Sequence, residues 1–228
     1  MLPRTAAALV LAGLAASAWG QTAASITAES DYRFRGVSLS NLKPDVRLNL
    51  AYDDASGWYA GASATTVQLD SRQRQAALFV YGGVARRALP GLAWEVGATA
   101  AHLGDNTHYD YAELFAGVIA QRWNARAYVS PSYFGSGART LYTELNGGLP
   151  LAPPLRLFGH VGALWRLGGG APDEAHQRAR FDTRVGLSAG VDAVEWQLAW
   201  VRGDRAGIYP VAYGRQRSAW VLSAAYVF

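Results

Sequence analysis

The sequence predicts an all-β protein, a transmembrane antiparallel up-and-down β-barrel of about twelve strands following a cleaved signal peptide. Three observations carry this reading: the dyad pattern of the last strand, the layout of the first twenty residues, and connections that alternate between short and long. Counting back in twos from Phe228 gives Tyr226, Ala224, Leu222 and Trp220, whereas Val227, Ala225, Ser223, Val221, Ala219 and Arg217 form a smaller set ending in a charge. Alternate residues of a strand lie on opposite faces, so one face here is apolar with aromatics at both ends. Such a face suits a bilayer, with an apolar centre and amphipathic rings at the interfaces. Taken alone, the segment also fits a terminal edge strand of a soluble sandwich.

Residues 1–20 carry Arg4, an apolar run from Ala6 to Leu14, and small residues at Ala16, Ser17, Ala18 and Gly20. That is the layout of a secretory signal peptide, with cleavage expected after Ala18 or Gly20 and the barrel over residues 21–228. Its apolar core is shorter than a spanning helix requires. There is no cysteine, which removes disulfides, thiolate metal sites and a cysteine nucleophile. The chain is 50% hydrophobic with a mean hydropathy of -0.00, as expected where lipid-facing and lumen-facing positions alternate. A net charge of +4 is spread along an exported chain, so nucleic acid is not an expected partner.

The strand-like segments run over 24–35, 44–53, 57–67, 76–86, 92–103 and 109–121, then 124–134, 139–148, 155–167, 179–191, 194–203 and 217–228. Each is near the ~10 residues of a tilted membrane strand. In the first, Ile26, Ala28, Tyr32 and Phe34 oppose Thr27, Glu29, Asp31 and Arg33. In the second, Val46, Leu48 and Leu50 oppose Asp45, Arg47 and Asn49. The fourth does not declare its phase, and Pro131 in the seventh must sit at a bulge or rim because it cannot donate to a ladder. The ninth sets Leu155, Leu157, Val161 and Trp165 against Arg156, His160 and Arg166. The tenth sets Phe181, Val185 and Leu187 against Arg180, Asp182 and Arg184, and the eleventh sets Trp196, Leu198 and Trp200 against Glu195 and Gln197.

Connections after even-numbered strands are short, such as Asp54-Ala-Ser56 and Asp192-Ala193, and those after odd-numbered strands are mostly longer and polar. Outer-membrane barrels have short periplasmic turns and longer outer loops, and a soluble sandwich has no reason for this parity. The charged face is therefore assigned to the lumen, adding Glu95, Glu113, Arg126 and Glu144 to the residues above as expected pore lining. Trp196, Trp200, Trp220, Tyr226 and Phe228 are the expected membrane girdle.

The motif Ser30-Asp-Tyr-Arg-Phe-Arg-Gly-Val-Ser38 resembles the opening of the TorF-like putative porins, a Gram-negative family long described as of unknown function. The likeness continues in Ser56–Gly61, Asp110–Gly117, Ser130–Gly135, Tyr142–Gly147, Gly159–Gly162, Arg184–Ser188 and the last strand. The resemblance implies an outer-membrane barrel with a pore role and supplies neither a solute nor catalytic residues.

The expected function is a porin-like channel for passive diffusion of small polar, anionic or zwitterionic solutes in the Gram-negative outer membrane. Expected partners are outer-membrane lipid and lipopolysaccharide, the solute, and the barrel-assembly machinery through the C-terminal strand; no cofactor is expected. The alternative is a closed structural or adhesive barrel whose lumen charges pair with one another and whose loops bind lipopolysaccharide or partners. An enzyme, such as a lipid hydrolase or protease, ranks behind both: His102 and His108 flank Asp105 and Asp110 at outer-rim height, while His160 has no evident Ser or Asn companion. At the Ser30–Ser38 motif, the reading is a strand approaching its outer rim, with Gly36 allowing a sharp exit into the first loop.

Overall fold

The computed structural model describes residues 20–69, 73–104, 107–170, 179–204, 209 and 216–228. The expected signal peptide, apart from Gly20, lies outside the described residues, as do His176 and Asp105. The described chain is almost entirely strand: β1 (Gln21–Glu29), β2 (Arg33–Phe34), β3 (Val37–Ser38), β4 (Asp45–Asp53), β5 (Trp58–Val67), β6 (Gln75–Leu89) and β7 (Leu92–Leu103). There follow β8 (Tyr111–Ala120), β9 (Trp123–Ser130), β10 (Ala138–Ala152), β11 (Leu155–Gly169), β12 (Ala179–Val191), β13 (Val194–Gly203) and β14 (Ser218–Val227). Single 3-10 turns occupy Thr107–Tyr109 and Tyr133–Gly135.

Every strand except the short β2–β3 pair belongs to one closed antiparallel barrel in which sequence neighbours pair and β1 meets β14. The twelve barrel strands match the twelve expected from the sequence. Closure leaves no unpaired edge, which lets a sheet reside in a bilayer. Both described ends of the barrel lie at the side of the short turns, here the turn end; the longer connections lie at the loop end. At the first short turn, Asp54 accepts the backbone N–H of Ser56 at 2.8 Å and Gly57 takes φ +83°.

Burial alternates along each strand as the dyad pattern requires. On β4, Val46, Leu48 and Leu50 are exposed, the intervening Arg47 and Asn49 are half-buried, and Asp45 ahead of them is buried. Leu114, Val185, Leu198, Leu222 and Trp220 continue the exposed apolar surface around the barrel, and Trp200 pairs with Trp220 across β13–β14. An apolar belt of this extent suits hydrocarbon rather than water. The fourth barrel strand, whose phase the sequence left open, places Leu78 and Val80 outside and Ala77 and Phe79 inside.

Two strands stop well short of their expected ends, both at the loop end. The first barrel strand stops at Glu29 instead of running to Arg35, and Ser30 closes its ladder through paired bonds with Leu222. The seventh stops at Ser130, leaving Pro131 at the rim and turning Tyr133 and Phe134 inward, where both are buried. These inward excursions fill the loop-end half of the lumen with an apolar core. It includes Tyr32, Leu39, Val67, Leu103, Tyr133 and Phe134.

Candidate functional site

The Ser30–Ser38 motif builds the centre of the lumen rather than a rim. Asp31 organises it: its carboxylate accepts from Ser38 Oγ at 2.6 Å and Ser40 Oγ at 3.0 Å, and pairs with Arg33 Nε at 2.6 Å. Arg33 also donates to the Gly36 carbonyl at 2.8 Å. These bonds fold the chain into the β2–β3 hairpin, whose two-residue turn is Arg35-Gly36, both with positive φ (47° and 77°). Two consecutive residues of that hand form a tight hairpin turn that matches strand twist. Glycine adopts it freely, whereas Arg35 is strained there. Asp31 and Arg33 were expected on the wall of the first barrel strand. Asp31 lies instead just before this hairpin and Arg33 within it, held there by the bonds of Asp31 to Arg33 and Ser38.

The hairpin reaches across the barrel. Phe34 stacks on Phe79 of β6 at 6.0 Å, and Tyr32 meets the same ring edge-on at 6.3 Å. On the far side a Cβ added to Gly36 would stand 2.7 Å from Gly203 Cα, so the tip fits only as glycine against glycine. Between them Arg35 donates from Nη1 and Nη2 to the Glu113 carboxylate at 2.9 and 2.6 Å, and from Nη1 to the Tyr133 hydroxyl at 2.9 Å. Its guanidinium lies 3.8 Å from the Tyr142 ring centroid, 5.2 Å from Tyr128 and 5.3 Å from Tyr133. Both charged side chains are nearly inaccessible, 7% exposed for Arg35 and 1% for Glu113. Such a pair is tolerated in a dry site only with bidentate geometry and further hydrogen bonds, and both are present. Burial pushes the Tyr32 phenol up to about 12, against the opposing field of Arg47.

Below the hairpin the lumen is polar. His160 Nδ1 lies 2.6 Å from Asn146 Oδ1, and its Nε2 lies 2.7 Å from Asp182 and 3.1 Å from the Tyr142 hydroxyl. Asn146 donates in turn to Asn124 at 3.0 Å, which turns its oxygen toward the imidazole. The Asn companion that the linear sequence did not reveal thus comes from the neighbouring strand, through the Asn146–His160 register. Toward the turn end, Arg126 Nε pairs with Glu95 at 2.5 Å and Tyr59 donates to the same carboxylate at 2.6 Å. Glu144 accepts from Tyr128 at 3.2 Å.

The remaining expected lining residues fall on the inner face by strand alternation. Glu29 lies 3.5 Å from Arg47, Arg184 donates to Gln197 at 3.0 Å, and Gln197 donates to Glu195 at 3.2 Å. Arg156 and Arg166 lie on β11, Arg180 and Arg184 on β12; Arg184 is registered against His160 and Arg180 against Leu164. These arginines therefore form no continuous basic wall, since His160, Leu164 and Asp182 stand among them. Trp196, Trp220, Tyr226 and Phe228 are exposed on the outer face, and Trp200 is partly so.

His102 and Asp110 do meet, with Nδ1 and Oδ2 2.8 Å apart, but on the outer face at the loop end. The groove beneath them, about 360 Å³, is lined by Leu78, Val80, Ala100, Ala101 and Tyr111 besides the pair and offers no Ser or Thr hydroxyl. Asp110 also caps the Leu103 N–H at 2.9 Å, a loop-closing role. No group of three or more His, Asp or Glu side chains that could hold a metal occurs among the described residues.

The sequence pattern of Gcw_chp, described as a bacterial protein of unknown function, matches residues 14–224. The chain belongs to that family. This Gcw_chp protein has the fold of known porins: the NanC porin aligns with a TM-score of 0.60 at 10% identity, covering 90% of this chain and 98% of the other. The KdgM porin aligns at 0.54 with 11% identity, covering 90% and 99%. The KdgM porin solved in complex with disordered oligogalacturonate aligns at 0.52 with 11% identity and the same coverage. No curated protein matches the sequence. The porin-type barrel implied by the TorF-like motifs is present; the family shown is Gcw_chp, and the TorF-like name stays a resemblance. Those motifs converge in space, since Arg35, Glu113, Tyr133, Tyr142 and His160 each come from a different one.

Proposed function

We propose that this Gcw_chp protein is an outer-membrane channel for small polar solutes that is closed at its loop end by the β2–β3 hairpin. One observation carries the reading: the closure is made by an inserted hairpin and the Tyr133 turn, while the barrel wall below stays polar. Glu29 Oε1, Arg47 Nε and Arg184 Nε are buried with no hydrogen-bond partner in the protein, and such groups require water.

The closed structural barrel draws support from the apolar packing of the loop end. Planar-bilayer recording separates the two readings. Wild-type protein is expected to open rarely, and a variant with residues 31–40 replaced by a short Gly-Ser link is expected to give frequent discrete steps. Silence from both, with correct folding shown by heat-modifiable gel mobility, would favour the structural barrel.

A further inference from the structure

The cage around Arg35 has the composition of a ligand site. Glu113 supplies both carboxylate oxygens, Tyr133 a hydroxyl, and Tyr142 and Tyr128 supply ring faces, all from outside the hairpin. Aromatic faces with a carboxylate are how proteins recognise guanidinium and alkylammonium groups. Arg35 enters this cage from a turn in which its own backbone is strained, on a hairpin of two-residue strands. We propose that Arg35 is a tethered stand-in for a small guanidinium- or ammonium-bearing solute, and that such a cation takes the Glu113–Tyr142 cage when the hairpin withdraws.

The physical drive is the buried carboxylate. With the hairpin seated, Glu113 is only 1% exposed beside three tyrosines; once Arg35 leaves, its carboxylate must regain a cation, a proton or water, because an unpaired charge against such walls is costly. A planar cation matches the two oxygens and the ring faces better than hydrated sodium does. This assigns a cationic group to the solute, in place of the anionic or zwitterionic one among the sequence expectations. The inference rests on the channel reading for its route of access, though not for the cage itself.

The test uses the full mature chain in detergent and in bilayers, with methylguanidinium as the probe and sodium at equal ionic strength as control. Arg35→Ala is expected to bind methylguanidinium at least tenfold more tightly than wild type, read as a rise in Tm, and to lose this with Glu113→Gln added. In bilayers the probe should block Arg35→Ala current and leave the double variant unblocked. Should Arg35→Ala fail to fold, Val37→Cys in the otherwise wild-type chain reports instead, since the chain has no cysteine and Val37 is buried. Its maleimide labelling is expected to accelerate with methylguanidinium and not with sodium. No selective rise in Tm and no selective labelling would overturn the proposal. Binding without any current would overturn the channel and leave the cage, whereas current without selective binding or block would do the reverse.

Discussion

The guanidinium of Arg35 lies flat enough on Tyr142 to bring its carbon within 3.8 Å of the ring centroid, while the Tyr142 hydroxyl reaches His160 at 3.1 Å. One side chain thus joins the hairpin to the polar lumen below it. Tyr142→Phe keeps the ring and is expected to cost about 1 kcal/mol through the lost hydroxyl bonds. Tyr142→Ala removes the platform as well and is expected to cost ~3–5 kcal/mol, as aromatic deletions in packed sites do. Urea unfolding in micelles measures both, and equal losses would show that the ring face contributes nothing.

The strands were legible because a period of two survives along most of them, the fourth barrel strand being the exception whose phase the residues do not declare. The hairpin was not, and the reason is physical. Tyr32, Arg33 and Phe34 continue the alternation of β1, and a hairpin packed inside a lumen has the same dyad pattern as the wall it leaves. Only Arg35-Gly36 hints at a turn, and a glycine there fits an exit into an outer loop equally well. Tyr133 and Phe134 were read as the end of a strand for the same reason. Cross-strand partners such as Asn146 for His160 depend on register, which spacing along the chain does not encode.

Gly203 tests whether the tip of the hairpin is seated. A Cβ there would come within 2.9 Å of the Gly36 backbone, with no flexible side chain to give way. Gly203→Ala is therefore expected to push the tip off the wall, speed labelling of Val37→Cys and raise the frequency of openings. A similar change at Gly190, which has nothing within 4 Å of an added Cβ, should leave both readouts unchanged.

Glu95 anchors the turn-end half through Arg126 and Tyr59 while itself only 1% exposed. Glu95→Gln leaves Arg126 without its counter-charge, at an expected cost of about 3 kcal/mol, the lower end for a broken buried pair because Arg126 is partly exposed. The plug should stay closed, so stability falls while resting conductance does not.

Alkali should release the hairpin. Tyr32 ionises at about 12 in the folded chain against an ordinary value near ~10, because burial disfavours the phenolate. A raised acid pKa means the stabilisation is complete below about pH 10 and is lost as pH climbs toward 12. Burial also holds Tyr133 well above its ordinary value, with the same sign. Absorbance at 295 nm should show these phenols titrating late and together with Val37→Cys exposure; an ordinary titration near pH ~10 would place Tyr32 in water.

The outward face is tested at Leu198, which is 49% exposed in the middle of β13. Leu198→Arg is expected to cost ~2–4 kcal/mol in lipid vesicles if that face meets hydrocarbon. The same variant in a water-soluble barrel would be neutral, so refolding yield into vesicles decides the point.

The hairpin remains covalently joined to β1 through Ser30, and that has a quantitative consequence. A group on so short a tether presents itself to its site at an effective concentration on the order of millimolar or more. A free cation with the same intrinsic affinity for the Glu113 cage as Arg35 must approach that level before it wins, and one that fits better needs proportionally less. Under the channel function proposed above, the barrel is a threshold device rather than a leak: scarce solute leaves the plug seated, and abundant solute displaces it. The cage sets which solute counts and the tether sets how much of it is enough, so inserting a few glycines after Glu29 should lower the threshold without changing the selectivity.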